Sequence, residues 1–167
     1  LEGEELGEDE LRQALRKATI NRILVPVLCG TAIRGKGIHP LLDAIVQYLP
    51  SPGDVPAVEG TTPKSGETEY REPDKDGPLA ALAFKVVSDP YVGRLVFLRI
   101  YSGTVNAGGL VNNLTKDKRE RMGRLLRMHA NHREELELVQ AGDICAAIGL
   151  KDTFTGDTIG TQDRPLI

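Results

Sequence analysis

Large aromatic side chains and cysteines are scarce in this chain, which has no tryptophan, three phenylalanines, four tyrosines and two cysteines in 167 residues. Its core must therefore be built from aliphatic side chains. Cys29 and Cys145 lie far apart and form no CxxC motif, which favours reduced thiols and a cytoplasmic protein over a disulfide scaffold. No apolar run is long enough to cross a bilayer, and the first ten residues are acidic, so neither a membrane partner nor a secretory signal is indicated.

The motifs of nucleotide hydrolysis are also missing. The chain contains no GxxxxGK[ST] loop, no DxxG segment and no NKxD segment, and Gly35-Lys36-Gly37 is too short to cradle phosphates. The sequence also shows no Ser-His-Asp or Cys-His arrangement of the kind that hydrolases use. We therefore predict no catalytic residue and no cofactor in this chain alone.

The length of the chain allows one domain, or one small domain with a piece of another. The net charge of −3 does not indicate wholesale binding of nucleic acid, and DNA is not expected as a partner. The sequence begins with Leu1 rather than methionine, which suggests a fragment of something longer.

Residues 1–49 are predicted to form a helix, a strand and a second helix. Helix-forming residues run from Gly7 to Thr19, and an apolar stripe runs from about His39 to Tyr48. Between them, the aliphatic run Ile23–Cys29 predicts a buried strand of a parallel sheet. Because one strand cannot make a sheet, this part is interpreted as an incomplete α/β tail.

Residues 50–78 are predicted to be a linker, because prolines and glycines alternate there with almost no large apolar residue. Residues 79–167 are predicted to be all-β and to form a small barrel. Apolar residues alternate at Leu82, Phe84 and Val86, and again at Val96, Leu98 and Ile100. Further strands are expected at Leu110–Leu114, at about Arg119–Met128 and at Ile144–Leu150.

A basic segment stands out on this net acidic chain. Only Asp117 and Glu120 oppose its cations, which are Lys116, Lys118, Arg119, Arg121, Arg124, Arg127 and Arg133. All of these except Arg133 are candidates for contact with RNA phosphates. On one continuous strand Arg119, Arg121 and Arg127 would share a face. The alternative is a solvated barrel face.

Two polar clusters raise the possibility of a metal. His129 and His132 form an HxxH pair, but zinc sites need four ligands and the nearby Cys145 lies on a strand expected to be buried, so a surface loop is predicted. The acids at Asp152 and Asp157 lack the spacing of a calcium loop and predict a capped turn. We predict no metal site.

Longer motifs point to a family. The segments VLCGTAIRGKGIHPLLDAIVQYLPSP from Val27, ALAFKVVSDPYVGRLVFLRIYSG from Ala81, RERMGRLLRMHANHREE from Arg119 and AGDICAAIGLKDTFTGDT from Ala141 resemble bacterial elongation factor G, a GTPase that moves tRNA and mRNA through the ribosome. The likeness begins with LEGEEL at Leu1. It implies the end of the GTPase domain followed by the whole of domain two, a translation-factor β-barrel.

This resemblance also implies sites and partners. Thr31 and Ala32 would form the last guanine-contacting edge, although the family usually has Ser-Ala at these positions. GTP and Mg²⁺ would bind elsewhere in the parent GTPase. The expected partners are small-subunit ribosomal RNA and the remainder of the GTPase domain, and the fragment itself is expected to be monomeric.

Two other hypotheses remain open. One is a stand-alone RNA- or protein-binding β-barrel module without nucleotide chemistry. The other is a nucleotide-dependent enzyme assembled from several chains, to which this chain supplies one edge.

Overall fold

A computed structural model describes residues 7–129 and 132–167. The LEGEEL segment and the two central residues of the MHANHREE motif, Ala130 and Asn131, lie outside the described residues. The chain divides into two compact units, Leu1–Val55 and Pro56–Ile167. Neither described helix is long and apolar enough to cross a membrane.

The first unit contains two helices, α1 (Glu8–Ile20) and α2 (Ile38–Tyr48), close to their predicted bounds. Acidic residues fill the first turn of α1, where they complement the positive end of the helix. Arg16 on α1 donates hydrogen bonds to the carbonyls of Gln47 and Leu49 and forms an ion pair with Asp54. This single arginine therefore fastens α1 to the end of α2.

The predicted buried strand at Ile23–Cys29 differs from the structure. No strand is assigned there, and the side chains of Val25 and Val27 are 82% and 88% exposed. A buried parallel strand needs neighbouring strands and a covering layer on each face. Within the part of this unit that the structure describes, no other strand is available to pair with it, so the segment remains unpaired and its aliphatic side chains face outward.

The second unit is a β-barrel, which confirms the mainly β fold class. Its barrel strands are β3 (Ala80–Asp89), β4 (Gly93–Ser102), β5 (Thr104–Asn106), β6 (Leu110–Asn113), β7 (Lys118–Arg121), β8 (Arg124–His129), β9 (His132–Leu136), β10 (Leu138–Gln140), β11 (Ile144–Ile148) and β12 (Thr158–Gly160). Eight of them form one antiparallel sheet in the order β7-β6-β12-β3-β4-β11-β8-β9, and β5 pairs with β10. The barrel encloses an aliphatic core that includes Leu98, Ile100, Leu125 and Ile159.

A two-stranded hairpin precedes the barrel, in the stretch that we predicted as a linker. Strands β1 (Val58–Thr61) and β2 (Thr68–Arg71) pair antiparallel, and residues 56–78 belong to the barrel unit. Backbone hydrogen bonds hold this stretch in place. The amide of Gly103 donates to the carbonyl of Asp74, and the amides of Thr61 and Ile167 each donate to the carbonyl of the other residue. The Pro- and Gly-rich composition does not predict this regular structure, because the contacts that stabilise it come from distant parts of the chain.

Strand β4 follows its predicted alternation, since Val96, Leu98 and Ile100 are all fully buried. Strand β3 follows it only in part: Leu82 and Phe84 are not in the core, and Val86 packs against the core because a bulge between Ala83 and Lys85 shifts the register against β4. Ala81 and Ala83 fill the core instead, and Phe84 is 40% exposed. A bulge adds one residue to a strand and so moves the following side chains to the opposite face.

The strand predicted over Arg119–Met128 is two strands, β7 and β8, separated by Met122 and Gly123. At this corner the amide of Gly123 donates to the carbonyl of Ile148, 2.8 Å away, and a Cβ on Gly123 would lie 2.6 Å from that oxygen. Only glycine fits so close to a neighbouring backbone. The corner therefore joins β7, at one end of the sheet order, to β8, which lies next to the other end.

Candidate functional site

The predicted guanine edge lies in a compact loop of the first unit. Thr31 and Lys36 form an isolated antiparallel bridge in which each amide bonds the carbonyl of the other residue, at 2.9 and 3.2 Å. Gly37 has φ +80°, and a Cβ there would lie 2.8 Å from the carbonyl oxygen of Cys29. Thr31 therefore uses its own amide inside the loop. Ala32 is exposed, and its amide has no hydrogen-bond partner within the described residues.

Four of the six basic candidates are already paired with a carboxylate. Lys118 pairs with Asp152 at 3.1 Å, Arg124 with Glu135 at 3.0 Å and Arg127 with Glu134 at 3.4 Å. A pairing of the same kind joins Arg133 to Asp89, and another joins Lys116 to Asp157. A cation already balanced by a neighbouring acid contributes little to the long-range attraction of phosphates.

The remaining two candidates, Arg119 and Arg121, lie on β7 at one end of the sheet order. Both side chains are exposed, and neither has a carboxylate partner within ranges 7–129 and 132–167. The Nε atom of Arg121 donates to the carbonyl of Gly108, 3.1 Å away, which orients the guanidinium. Glu120 between them is buried, so the two arginines share the outward face that the sequence predicted for them. Arg127 does not join them, because it lies on β8.

The inward face of β7 is held by a buried polar network that the sequence analysis did not identify. Glu120 accepts a hydrogen bond from the hydroxyl of Thr153, and another from the amide of Asp152 at 2.8 Å. The Asn113 side chain donates to Thr153 at 3.3 Å and to Asp157 at 2.8 Å. The only signal in the sequence was the cluster of acids and threonines at 152–157, which we interpreted as a turn.

Asp157 is the best-supported acid of this network. Its Oδ2 atom accepts hydrogen bonds from the amide of Phe154 at 2.8 Å and from the ammonium of Lys116 at 2.7 Å. Burial by itself would raise the pKa of Asp157, but the hydrogen bonds from Lys116, Phe154 and Asn113 outweigh burial and hold the pKa below its ordinary value. The carboxylate therefore stays ionised although it is only 5% exposed.

The loop from Lys151 to Asp157 is also fixed from outside. Arg94 on β4 donates to the carbonyls of Lys151 and Thr153. The ring of Phe154 lies beneath two cations, with the guanidinium of Arg94 4.3 Å and the ammonium of Lys116 4.0 Å from its centroid. Such cation–π contacts keep an exposed ring in place. The loop is therefore held in place where it contacts Glu120 on the inward face of β7.

The histidines of the HxxH pair are direct cross-strand partners at the ends of β8 and β9. They thus lie on strand ends rather than in the loop that we predicted. No group of three or more His, Cys, Asp or Glu residues that could hold a metal ion is found in the described part of the chain.

Comparison with known proteins agrees with the barrel geometry. Residues 93–160 match the family model described as elongation factor Tu domain 2. A crystal structure of a protein from Thermus thermophilus is similar over 98% of this chain, with a TM-score of 0.70 and 27% sequence identity. The chain spans 22% of the length of that protein. The barrel is thus similar to elongation factor Tu domain 2 over residues 93–160, and the chain resembles one part of a longer protein.

Proposed function

We propose that this chain is a part of a bacterial elongation factor G, a cytoplasmic GTPase that drives movement of tRNA and mRNA through the ribosome. The barrel serves as its docking platform on small-subunit ribosomal RNA. The observation that carries the proposal is the match of residues 93–160 to elongation factor Tu domain 2, since the matched range contains strand β7 and its supporting loop.

Arg119 and Arg121 are the residues that we assign to RNA contact. A guanidinium without a carboxylate partner gives up no existing ion pair when it binds a phosphate, and its fork of donors suits phosphate oxygens. The network around Glu120 holds the β7 backbone between the two arginines in place, so the strand itself needs little ordering on binding. Lys116, Lys118, Arg124 and Arg127 are engaged with acids and contribute less.

The first unit supplies one edge of the guanine pocket. The Ala32 amide is the available donor for a carbonyl of the base, whereas the Thr31 amide is occupied by Lys36. The remainder of the GTPase domain covers the apolar surface around Val25 and Val27, beside a groove of about 360 Å³ lined partly by Leu41 and Ile45. GTP and Mg²⁺ bind mainly to that remainder, so the chain alone neither holds GTP tightly nor hydrolyses it.

Binding to isolated small ribosomal subunits tests the docking role. We expect weak binding of the monomeric chain that falls steeply as salt is raised. The double variant R119Q/R121Q should lower the slope of log affinity against log salt by roughly one per lost phosphate contact. The matched control R124Q/R127Q removes the same charge from the same barrel on strand β8, and should leave the slope nearly unchanged.

Two outcomes would contradict this assignment. Equal losses in both double variants would mean that net charge alone governs binding. Salt-independent binding, or none at all, would favour the alternative of a stand-alone barrel that binds another protein. A protein-binding barrel would keep its partner in high salt, because apolar contact is not screened.

A further inference from the structure

The turn between the β1–β2 hairpin and the barrel carries the sole Asp-Gly step of the sequence, Asp76-Gly77, and the sequence contains no Asn-Gly step. A glycine after an acid matters chemically, because it has no Cβ to hinder the approach of its amide nitrogen to the carboxyl group of that acid. Every other aspartate is followed by a residue that carries a side chain. Asp76 is therefore the aspartate at which the main chain is least hindered from reacting with a side chain.

The carboxyl group of Asp76 is free to turn. Its side chain is 77% exposed, and its one partner within the described ranges is the ammonium of Lys75 at 2.9 Å, on a side chain that is itself 62% exposed. An exposed ion pair of this kind holds a side chain only weakly. The Asp76 amide donates to the carboxylate of Asp74 at 3.0 Å, which orients the main chain of the turn without engaging the Asp76 carboxyl group.

The amide of Gly77 is also weakly held. It donates to the carbonyl of Asp74 across 3.3 Å, which is long for a hydrogen bond from nitrogen to oxygen. The same carbonyl accepts a shorter bond, at 2.8 Å, from the amide of Gly103. Release of the Gly77 amide therefore leaves the Asp74 carbonyl with a partner, and the nitrogen can approach the Asp76 carboxyl group at little cost.

From this geometry we propose that Asp76 is a site of spontaneous isomerisation to isoaspartate. The amide nitrogen of Gly77 attacks Cγ of the protonated Asp76 carboxyl group. A C–N bond forms, a C–O bond breaks, and the carboxyl hydroxyl leaves with the amide proton as water, which gives a cyclic succinimide. Water then opens the ring. Cleavage at the main-chain carbonyl leaves the backbone running through the former side chain, whereas cleavage at the side-chain carbonyl restores aspartate.

This chemistry needs no reagent besides water and does not depend on the proposed function. Its structural effect is an additional methylene in the main chain between the hairpin and the barrel. The surroundings leave little room for it, since a Cβ on Gly77 would lie 2.8 Å from the hydroxyl oxygen of Ser102, and a Cβ on Gly103 would lie 2.9 Å from the carbonyl oxygen of Gly77. Isomerisation therefore weakens the attachment of the hairpin to the barrel at the hydrogen bond from Gly103 to Asp74.

Ageing of the purified chain tests the proposal. The 167-residue chain is incubated at pH 7 beside a free peptide that spans residues 72–80. A methyltransferase specific for isoaspartate measures the product, and peptide mapping locates it. We expect isoaspartate to accumulate at position 76 at a rate within about tenfold of that in the peptide, because the fold opposes the reaction with one weak hydrogen bond.

Two controls sharpen the test. Asp76→Glu keeps the charge beside Lys75 but would need a larger ring, and should abolish the product at this position. Asp117 is another exposed aspartate in a turn, but Lys118 follows it, so it should stay unmodified over the same period. Equal conversion at Asp117 and Asp76, or conversion of Asp76 more than about a hundredfold slower than in the peptide, overturns the proposal.

Amide hydrogen exchange tests the structural effect. In the isoaspartate form, separated from the unmodified chain by ion exchange, the Gly103 amide should exchange faster, because its bond to Asp74 is weakened. The amide of Ile100, which bonds the carbonyl of Asp143 on the barrel, should exchange at an unchanged rate. Unchanged exchange at Gly103 would overturn the weakened attachment. Because no ribosome is present, these failures are distinct from a failure of the docking role.

Discussion

Replacing Asp157 with asparagine tests the buried network that supports β7. The variant keeps an oxygen that can accept from Phe154 and Asn113, but it loses the negative charge that faces Lys116 at 2.7 Å. Hydrogen bonds to charged groups are worth about 1.5–3 kcal/mol against about 1 kcal/mol for neutral ones. The Lys116 side chain is 32% exposed, so water recovers part of the loss. Because the hydrogen bonds from Lys116, Phe154 and Asn113 all lose the charged acceptor, we expect the free energy of unfolding of the barrel to fall by about 2 kcal/mol in total.

Urea unfolding followed by far-ultraviolet circular dichroism at pH 7 measures this loss. With a denaturant dependence of about 2 kcal/mol per molar urea, the midpoint should fall by about 1 M. Asp152→Asn is the matched control, because it removes the same charge from a half-exposed pair with Lys118 and should cost at most about 0.5 kcal/mol.

The pH dependence gives an independent check. The pKa of Asp157 is lowered in the folded protein, so its ionised form contributes stability above the ordinary aspartate pKa of about 4. That contribution is lost as the pH falls from about 4 through the lower folded-state value. The difference between the parent chain and D157N should therefore shrink in this acidic range. Equal losses for D157N and D152N at pH 7, or a D157N loss that persists undiminished in acid, would refute the reasoning.

Two further outcomes follow from single sites. Labelled guanine nucleotide should show no binding to the isolated chain in the micromolar range, because one loop around Ala32 cannot hold a nucleotide; saturable micromolar binding would contradict this. Iodoacetamide at pH 8 should modify Cys29, which is exposed, and spare Cys145 in the folded protein, because burial raises the pKa of the Cys145 thiol to about 12. Modification of Cys145 at the rate of Cys29 would show that the barrel opens readily.

Sequence patterns predicted the barrel well where strands obey simple alternation. In β4 the side chains of Val96, Leu98 and Ile100 all enter the core, because the strand has no irregularity in that stretch. In β3 the same kind of pattern misplaced Leu82 and Phe84, because the small residues Ala81 and Ala83 take the inward positions. The bulge that then returns Val86 to the core depends on the partner strand and leaves no mark in the strand's own periodicity. Alternation therefore identifies a strand more reliably than it identifies the buried face.

The basic candidates show a similar limit. Composition predicted a cluster of cations, and parity placed Arg119 and Arg121 on one face. It could not show that Arg124 and Arg127 are balanced by acids on β9, since that pairing depends on how β8 and β9 align. The glycine corner at Gly123 was likewise hidden, because its cause is the carbonyl of Ile148, far away in sequence.

On strand β7, the residue that stabilises the fold is separate from the residues that set the surface charge. Its inward residue, Glu120, belongs to the buried network, while Arg119 and Arg121 point outward without entering it. Substitutions at the two arginines can therefore raise or lower the attraction for an anionic surface while the core stays as it is. A substitution at Glu120 would instead destabilise the fold, since it would leave the Thr153 hydroxyl and the Asp152 amide without their acceptor. The attraction for anions can therefore change in small steps while the barrel stays folded.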